Sequence, residues 1–251
     1  MSTTSVIKDY NCRYQLLYPV NNQAMLVGLL DLIPSRLGYI AGSFAMACAI
    51  DAKRDHPVNN WNDIDIFPTT KENFNEAVRR LLDAGAKHER GSARAISYKL
   101  PVGALKRTAI FNRQEIDVQV IYPRDGYRSP TLLVDEFDLE NGAALILSKH
   151  SILATKRRAW MWERFVQLRP HIADPARTLI RAMKYQSKGY ELRFDELSRL
   201  LDNYRKLNHK DRARFQQYAT LNGHRDVFSA AQDEDIWDED AEEFYDDGAW
   251  Y

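Results

Sequence analysis

Acidic residues alternate with isoleucine and valine in two short stretches, and this alternation limits the folds open to the chain. The first stretch is DIDI at residues 63–66, and the second is EIDVQVI at residues 115–121. In a β-strand, residues i and i+2 point to the same face. Each stretch therefore predicts a strand with an apolar face toward a core and an acidic face away from it. Asp63 and Asp65 share the acidic face of the first strand, and Asp117 takes that position in the second.

A small-residue turn precedes the first of these strands. Residues 38–41 (GYIA) predict a short strand, Gly42 and Ser43 follow it, and residues 44–50 (FAMACAI) predict an apolar helix. A junction of this kind presents free backbone N–H groups and a hydroxyl at the start of a helix, where phosphate oxygens bind favourably. We therefore expect Gly42 and Ser43 to bind phosphate groups.

The three aspartates predict a divalent-metal site. Carboxylates that lie close together repel one another unless cations bridge them, and magnesium prefers ligands that are all oxygen. We expect Asp63, Asp65 and Asp117 to be both the catalytic residues and the metal ligands. An ordinary strand with one polar, solvated face would show the same alternation, and this alternative stays open.

These residues resemble a known family. The turn at 39–43, the acidic strand at 62–66 and the later aspartate at 117 are similar to the nucleotidyltransferase superfamily, which is built on the polymerase-beta-type palm. The segment 174–192 resembles the region after the palm in bacterial-type tRNA CCA-adding enzymes and poly(A) polymerases, where a Glu-Asp-Pro-x-Arg motif begins a helix. The similarity extends from about residue 36 to about residue 195.

The chain also departs from that family. Ser43 replaces the second glycine of the turn, the usual Arg-Asp is missing from the following helix, and Ala173 replaces the glutamate of Glu-Asp-Pro-x-Arg. Residues 138–141 lie near the place of the ribose-reading Arg-Arg-Asp motif but match it poorly. These departures favour nucleotide transfer in general over CCA addition in particular.

The resemblance implies a mechanism and a set of binding residues. It implies two Mg²⁺ ions, a nucleoside triphosphate substrate (ATP or CTP), and nucleotide contacts from Asp174, Arg177 and Arg181. A carboxylate and a guanidinium together can imitate the pairing edge of a base, so Asp174 and Arg177 can select a nucleotide without a template. Asp-Pro is also a favourable start for a helix, and Asp174 as an N-cap residue alone is the alternative.

The predicted fold class is α+β: a nucleotidyltransferase palm with a mixed β-sheet and flanking helices, then a helical unit and a disordered acidic tail. The predicted division is 1–138 for the palm domain, 139–231 for the helical domain and 232–251 for the tail. The remaining predicted helices are 21–33, 70–84, 142–150, 153–168, 174–188, 194–207 and 211–222, and the remaining predicted strands are 94–100 and 106–111. For the helix at 70–84, Thr70 predicts the start, Gly85 predicts the end, and the predicted buried face consists of Phe74, Val78, Leu81 and Leu82.

The chain has a net charge of zero, but residues 1–232, called the body below, carry an excess of positive charge. Ten of the 35 acidic residues lie between Asp233 and Asp247, so residues 1–232 hold the other 25 against all 35 Lys and Arg. Basic and aromatic side chains alternate at 156–169 (KRRAWMWERFVQLR), a pattern that can hold phosphates and stack bases. We expect this unit to bind an RNA acceptor, and the alternative is a solvated charged face.

The acidic tail also carries aromatic residues, among them Trp237, Phe244 and Trp250. Its composition predicts disorder, and three roles stay open. The tail can act as a solubilising segment, it can lie on the basic body in competition with nucleic acid, or it can bind a partner protein through its aromatic side chains.

The remaining sequence features predict a cytoplasmic protein. Cys12 and Cys48 have no metal-binding or redox spacing. No apolar run approaches the ~18 residues of a membrane span, and the N-terminal residues show no signal-peptide pattern. Three functions follow as hypotheses: nucleotide transfer to the 3′ end of a tRNA-like RNA, transfer to a small molecule or protein as in toxin-type or antibiotic-adenylylating relatives, and an inactive palm that binds nucleic acid.

Overall fold

One nine-stranded sheet organises the molecule. The computed structural model describes residues 9–10, 13–50, 56–92, 94–105, 114–156, 164–170, 172, 174–209 and 212 of the 251. In chain order the strands are β1 Asp9–Tyr10, β2 Tyr14–Leu17, β3 Gly38–Ala41, β4 Asp63–Pro68, β5 Lys87–Gly91, β6 Ala95–Pro101, β7 Glu115–Ile121, β8 Ala144–Ser148 and β9 Ser151–Thr155. Across the sheet their order is β1-β2-β9-β8-β3-β4-β7-β6-β5.

The sheet is mixed. Strands β4 and β7 run parallel, whereas each other neighbouring pair among the described strands is antiparallel. A parallel pair needs a long crossover, and the chain between β4 and β7 supplies it with α3, β5 and β6. The predicted α+β class, a mixed sheet with flanking helices, is confirmed.

Six α-helices accompany the sheet in the described part of the chain. They are α1 Gln23–Leu32, α2 Ser43–Ala49, α3 Lys71–Asp83, α4 Pro130–Glu136, α5 Pro175–Ser187 and α6 Phe194–Arg205. Helices α1, α2 and α3 pack on one face of the sheet, and α4 contributes to a smaller apolar cluster on the other face. Helices α5 and α6 share a third cluster with the segment 164–170. None of these helices has the length and hydropathy that a membrane crossing requires.

The alternation predicted for the central strands is what the structure shows. Ile64 and Ile66 of β4, and Val118 and Val120 of β7, are fully buried under the first three helices. Burying a side chain of this size stabilises the fold by about 1.5–3 kcal/mol. The acidic residues between them must then lie on the opposite face of the sheet.

Helix α3 shows how local signals set the bounds of an element. It begins after Thr70, whose hydroxyl accepts a hydrogen bond from the N–H of Asn73 at 3.1 Å, and it ends just before Gly85, whose φ is +84°. Phe74 and Leu81 are buried as predicted. The prediction that Leu82 also faces the core was wrong: this side chain is exposed, and Ala77 is buried instead.

The two helices predicted at 142–150 and 153–168 were wrong where the structure describes them. Ala144–Ser148 and Ser151–Thr155 are strands, and β8 lies inside the sheet between β3 and β9. Leu145 packs into the smaller cluster and Ile146 into the main core, so both faces of β8 are covered. A strand buried on both faces has a continuous apolar run, and such a run has no period that separates it from a helix.

The sheet thus continues beyond residue 138, where the sequence predicted the end of the palm domain. The division at 138 and 231 stays a prediction. Strands β1, β2 and β5 and helix α4 were not predicted at all. The predicted strand at 106–111, most of the helix at 211–222 and the tail at 232–251 lie outside the described residues.

Candidate functional site

The site is built on the face of β4 that points away from the main core. Asp63 and Asp65 are both half-buried, and the isoleucines that alternate with them fix which way they point. Because Ile64 and Ile66 are buried on the helix-covered face, the two carboxylates share the other face by the two-residue period of a strand. The sequence predicted this arrangement.

The register of the neighbouring strands adds the third aspartate. Asp63 is paired with Asp117 across the parallel β4–β7 ladder, and Asp65 is paired with Ala41 across the antiparallel β3–β4 ladder. Residues paired in register project to the same face of a sheet, about 5 Å apart. Asp63, Asp65 and Asp117 therefore lie on one face, next to the end of β3.

Gly42 joins the end of β3 to α2 in a conformation that other residues rarely adopt. Its φ is +81° and its ψ is −152°. A Cβ atom at this position would lie 2.8 Å from Oδ2 of Asp65, so the missing side chain lets the carboxylate lie directly against the turn. Ser43 begins α2 and is half-buried. The turn and the acidic strand predicted from sequence are thus in contact.

Asp117 is held by a lysine that the sequence reading did not assign to the site. The ammonium of Lys99, on β6, donates to Oδ1 of Asp117, and it also lies 3.5 Å from Oε1 of Glu89. The hydrogen bond that Lys99 donates to Asp117 is the main cause that raises the pKa of Lys99. Lys99 lies directly opposite Asp117 in the register of the neighbouring strands β6 and β7, and the sequence alone does not show that pairing.

The ion pair affects how a metal would fit. The donor set of three carboxylates suits a hard divalent cation. In the described part of the chain, however, no three His, Cys, Asp or Glu side chains stand close enough together to hold one. A metal that uses all three aspartates would compete with Lys99 for the Asp117 carboxylate.

The charges of the two aspartates of β4 also act on Tyr185 of α5 and on Lys188, which follows that helix. Burial raises the pKa of Tyr185 well above its ordinary value, and the charges of Asp138, Asp63 and Asp65 add to this effect after that of Tyr190. Tyr185 and Lys188 line one small pocket together with Ser43, Asn60 and Asn141. The sequence reading assigned no role to either residue.

The segment 174–181 makes contacts of a different kind. Oδ1 of Asp174 accepts from the N–H of Arg177 at 3.0 Å and caps α5, and Oδ2 lies 3.4 Å from Nε of Arg177. Arg181 donates to Oδ2 of Asp138 at 3.0 Å, and Thr178 donates to the same oxygen at 2.8 Å. Asp174 therefore caps the helix, and a role for Asp174, Arg177 and Arg181 in nucleotide binding stays a prediction.

The basic and aromatic stretch predicted to bind RNA falls largely outside the described residues, which leave out 157–163. Of its cations, Arg169 lies 3.5 Å from Oε2 of Glu140 and also pairs with Asp135. Glu140 is buried and accepts a hydrogen bond from the hydroxyl of Thr155. Arg169 thus ties the 164–170 segment to the sheet.

Comparison with known proteins gives only distant structural likenesses. The complex of a CCA-adding enzyme with ATP aligns at 14% identity and a TM-score of 0.46, and the complex of a CCA-adding enzyme with CTP aligns at 16% identity and a TM-score of 0.43. Each alignment covers 85% of this chain, and the chain spans about half the length of those solved structures, 50% and 48%. No family model and no curated protein matches the sequence.

Proposed function

We propose that the chain is a nucleotidyltransferase, which moves a nucleoside monophosphate from a triphosphate such as ATP or CTP to a hydroxyl at the 3′ end of a tRNA-like RNA. The observation that carries this proposal is the strand register: it places Asp63, Asp65 and Asp117 on one face of the sheet, beside the Gly42 turn. Nucleotide transfer needs this combination of clustered carboxylates and a phosphate-binding turn.

The reaction forms one bond and breaks one bond. The hydroxyl oxygen of the acceptor attacks the α-phosphorus, the bond from that phosphorus to the bridging oxygen breaks, and pyrophosphate leaves. Asp117 takes the proton of the hydroxyl, while Ser43 and the N–H groups after it hold the β and γ phosphates. Two Mg²⁺ ions, held by Asp63, Asp65 and Asp117, would supply the positive charge that offsets the carboxylates and the triphosphate.

Asp174, Arg177 and Arg181 are the proposed nucleotide-reading residues. The pairing of Arg177 with Asp174 presents an acceptor and a donor next to each other, which is the arrangement needed to imitate the edge of a base. The side chain of Arg177 is 20% exposed and that of Asp174 is 51% exposed, so the pair retains access to solvent.

A transfer assay with labelled nucleotides tests the proposal. Each of the four ribonucleoside triphosphates, labelled at the α-phosphate, is offered with tRNA, with an unrelated RNA and without an acceptor, in the presence of Mg²⁺. We expect label at the 3′ end of RNA. Label on the protein or on a small molecule would point to the second class of function, and binding of RNA without any transfer would point to an inactive palm.

A further inference from the structure

The ammonium of Lys99 lies between two carboxylates on different strands. It donates to Oδ1 of Asp117 on β7, and it lies 3.5 Å from Oε1 of Glu89 on β5. The side chains of Lys99, Glu89 and Asp117 are 35%, 43% and 42% exposed, so burial holds none of the three in one position. Lys99 can therefore move its contact from one carboxylate to the other without leaving this face of the sheet.

Glu89 lies at an irregularity of the edge strand β5. The register of the β5–β6 ladder shifts between His88 and Arg90, so Glu89 has no directly paired residue on the described strand β6. A shift of this kind is typical of a β-bulge, which bends a strand and redirects a side chain. The redirected side chain here is a carboxylate that contacts Lys99.

The residue directly opposite Lys99 on β5 is another cation. Lys87 is paired with Lys99 in register, and like charges that face each other across two strands repel. Lys87 itself lies 3.9 Å from Oε1 of Glu115 on β7. An ammonium released from Asp117 would be repelled by Lys87, and also by any cation bound to Asp117, unless Glu89 held it.

Asp117 needs a positive charge next to it because of the parallel pair of strands. It is paired with Asp63 across β4 and β7, and two neighbouring carboxylates repel each other. Lys99 offsets this repulsion in the structure. A divalent cation held by the same carboxylates would offset it with twice the charge, so Lys99 would no longer be needed at Asp117.

We infer that Glu89 is a positioning residue, which receives the ammonium of Lys99 when a divalent cation takes the carboxylate of Asp117. This inference deepens the proposed function and rests on its metal site. A simpler role for Glu89 is general attraction of cations by its negative charge, which does not involve Lys99. The two roles differ in one measurable respect, because only the first disappears when Lys99 is removed.

The experiment measures the dissociation constant of Mn²⁺, which prefers the same oxygen ligands as Mg²⁺, from the electron paramagnetic resonance signal of the free ion. It compares the full chain, without nucleotide, with Glu89→Gln, Lys99→Met and the double variant. We expect Glu89→Gln to weaken Mn²⁺ binding by about two- to fivefold, as for the loss of a partly exposed ion pair. When Lys99 is already methionine, the same change should alter the dissociation constant by less than about 1.5-fold.

The matched control is Glu115→Gln, alone and together with Lys99→Met. Glu115 lies on β7 two residues before Asp117, and its side chain is 42% exposed, about as much as that of Glu89. Its carboxylate pairs with Lys87, so its removal should have the same effect on Mn²⁺ binding whether or not Lys99 is present. Thermal unfolding of each variant without Mn²⁺ shows whether a loss of binding comes from a loss of fold.

Two results would overturn the inference. If Glu89→Gln keeps the Mn²⁺ affinity, or weakens it equally with and without Lys99, Glu89 does not receive the ammonium, and the proposed function stands as long as the unmodified chain binds Mn²⁺ and transfers nucleotides. If the unmodified chain binds no Mn²⁺, the proposed metal site fails and the inference fails with it. A loss that depends on Lys99, in a chain that transfers no nucleotide, would support the inference and contradict the proposed function alone.

Discussion

At the scale of single residues, Gly42 controls the distance between the turn and the acidic strand. Its positive φ and the 2.8 Å that separates a Cβ position from Oδ2 of Asp65 are two independent reasons for a glycine. The backbone conformation favours glycine over other residues, and the carboxylate needs the space that a side chain would fill. One residue thus serves both the fold and the site.

Replacing Gly42 by alanine should destabilise the protein by about 1–3 kcal/mol, because the backbone is strained and the Asp65 carboxylate must move. Gly103→Ala is the matched control: a Cβ atom at Gly103 meets nothing within 4 Å. Chemical denaturation of both variants measures the free energy of unfolding. Equal stability of the two variants would show that the Gly42 conformation carries no strain.

Lys99 is the second residue that we expect to affect the site. Because it pairs with Asp117, it competes with any cation for that carboxylate. Lys99→Met should therefore lower the Mg²⁺ concentration at half-maximal transfer by up to about fivefold, as expected for a partly exposed ion pair.

The control for this experiment is Lys87→Met, since Lys87 lies on the edge strand β5 and is 78% exposed. Its removal should leave the Mg²⁺ dependence unchanged. A Mg²⁺ titration of the transfer rate with Lys99→Met that superimposes on that of the unmodified chain would exclude competition between Lys99 and the metal.

At the scale of elements, the start of α5 has one observed role, helix capping by Asp174, and one proposed role, recognition of a base. Asp174 caps the helix through Oδ1, and the proposed reading of a base uses the same carboxylate. Asparagine caps helices about as well as aspartate but carries no charge, whereas alanine neither caps a helix nor carries a charge. The two substitutions therefore separate stability from selectivity.

Asp174→Ala should lower the free energy of unfolding by about 1 kcal/mol, and Asp174→Asn should leave it almost unchanged. Both variants should alter the ratio in which ATP and CTP are incorporated, because the acceptor charge is lost in each. Denaturation and a competition assay with the two nucleotides measure these effects. Unaltered selectivity in both variants would limit Asp174 to its capping role.

The elements also show where prediction from sequence succeeds. Strands β4 and β7 were predicted because each alternates an acidic with a buried apolar residue, and α3 was predicted because Thr70 and Gly85 mark its ends. Strand β8 was missed because both of its faces are buried and its sequence has no alternation. Strand β5 was missed for the opposite reason, since its largely exposed sequence KHERG has no apolar face.

At the scale of the whole molecule, the site depends on the order of the strands in the sheet, and the patterns in the sequence do not predict that order. The type of residue at positions 63, 65 and 117 suggested a cluster, but only the parallel pairing of β4 with β7 puts Asp63 opposite Asp117. The same limit explains why Lys99, Tyr185 and Lys188 were not predicted. Lys99 pairs with Asp117 across β6 and β7, and the charges of Asp63 and Asp65 act on Tyr185 and Lys188 from a strand that is far away in the chain.

The uneven charge of the chain leads to a prediction about the tail. The ten acidic residues between Asp233 and Asp247 oppose a body that is rich in Lys and Arg. If the tail competes with nucleic acid, deletion of residues 233–251 should raise the affinity for RNA, most of all at low salt, where charges are least screened.

Binding of a labelled RNA at two salt concentrations, with and without the tail, measures this effect. A chain in which the ten acidic residues are replaced by asparagine and glutamine keeps the length and the aromatic residues of the tail, and it should behave as the deletion does. An unchanged affinity in both variants would exclude competition between the tail and RNA.

The most direct measurement is the transfer rate of Asp63→Asn and Asp65→Asn compared with that of the unmodified chain and of Asp31→Asn, a change at an exposed position of α1. Both amide variants keep the size of the side chain and remove the charge that would hold Mg²⁺. We expect each to lose at least about a hundredfold in rate with unfolding behaviour close to that of the unmodified chain, while Asp31→Asn keeps its rate. Full transfer by a folded Asp63→Asn or Asp65→Asn variant would show that the acidic face of β4 is not the active site.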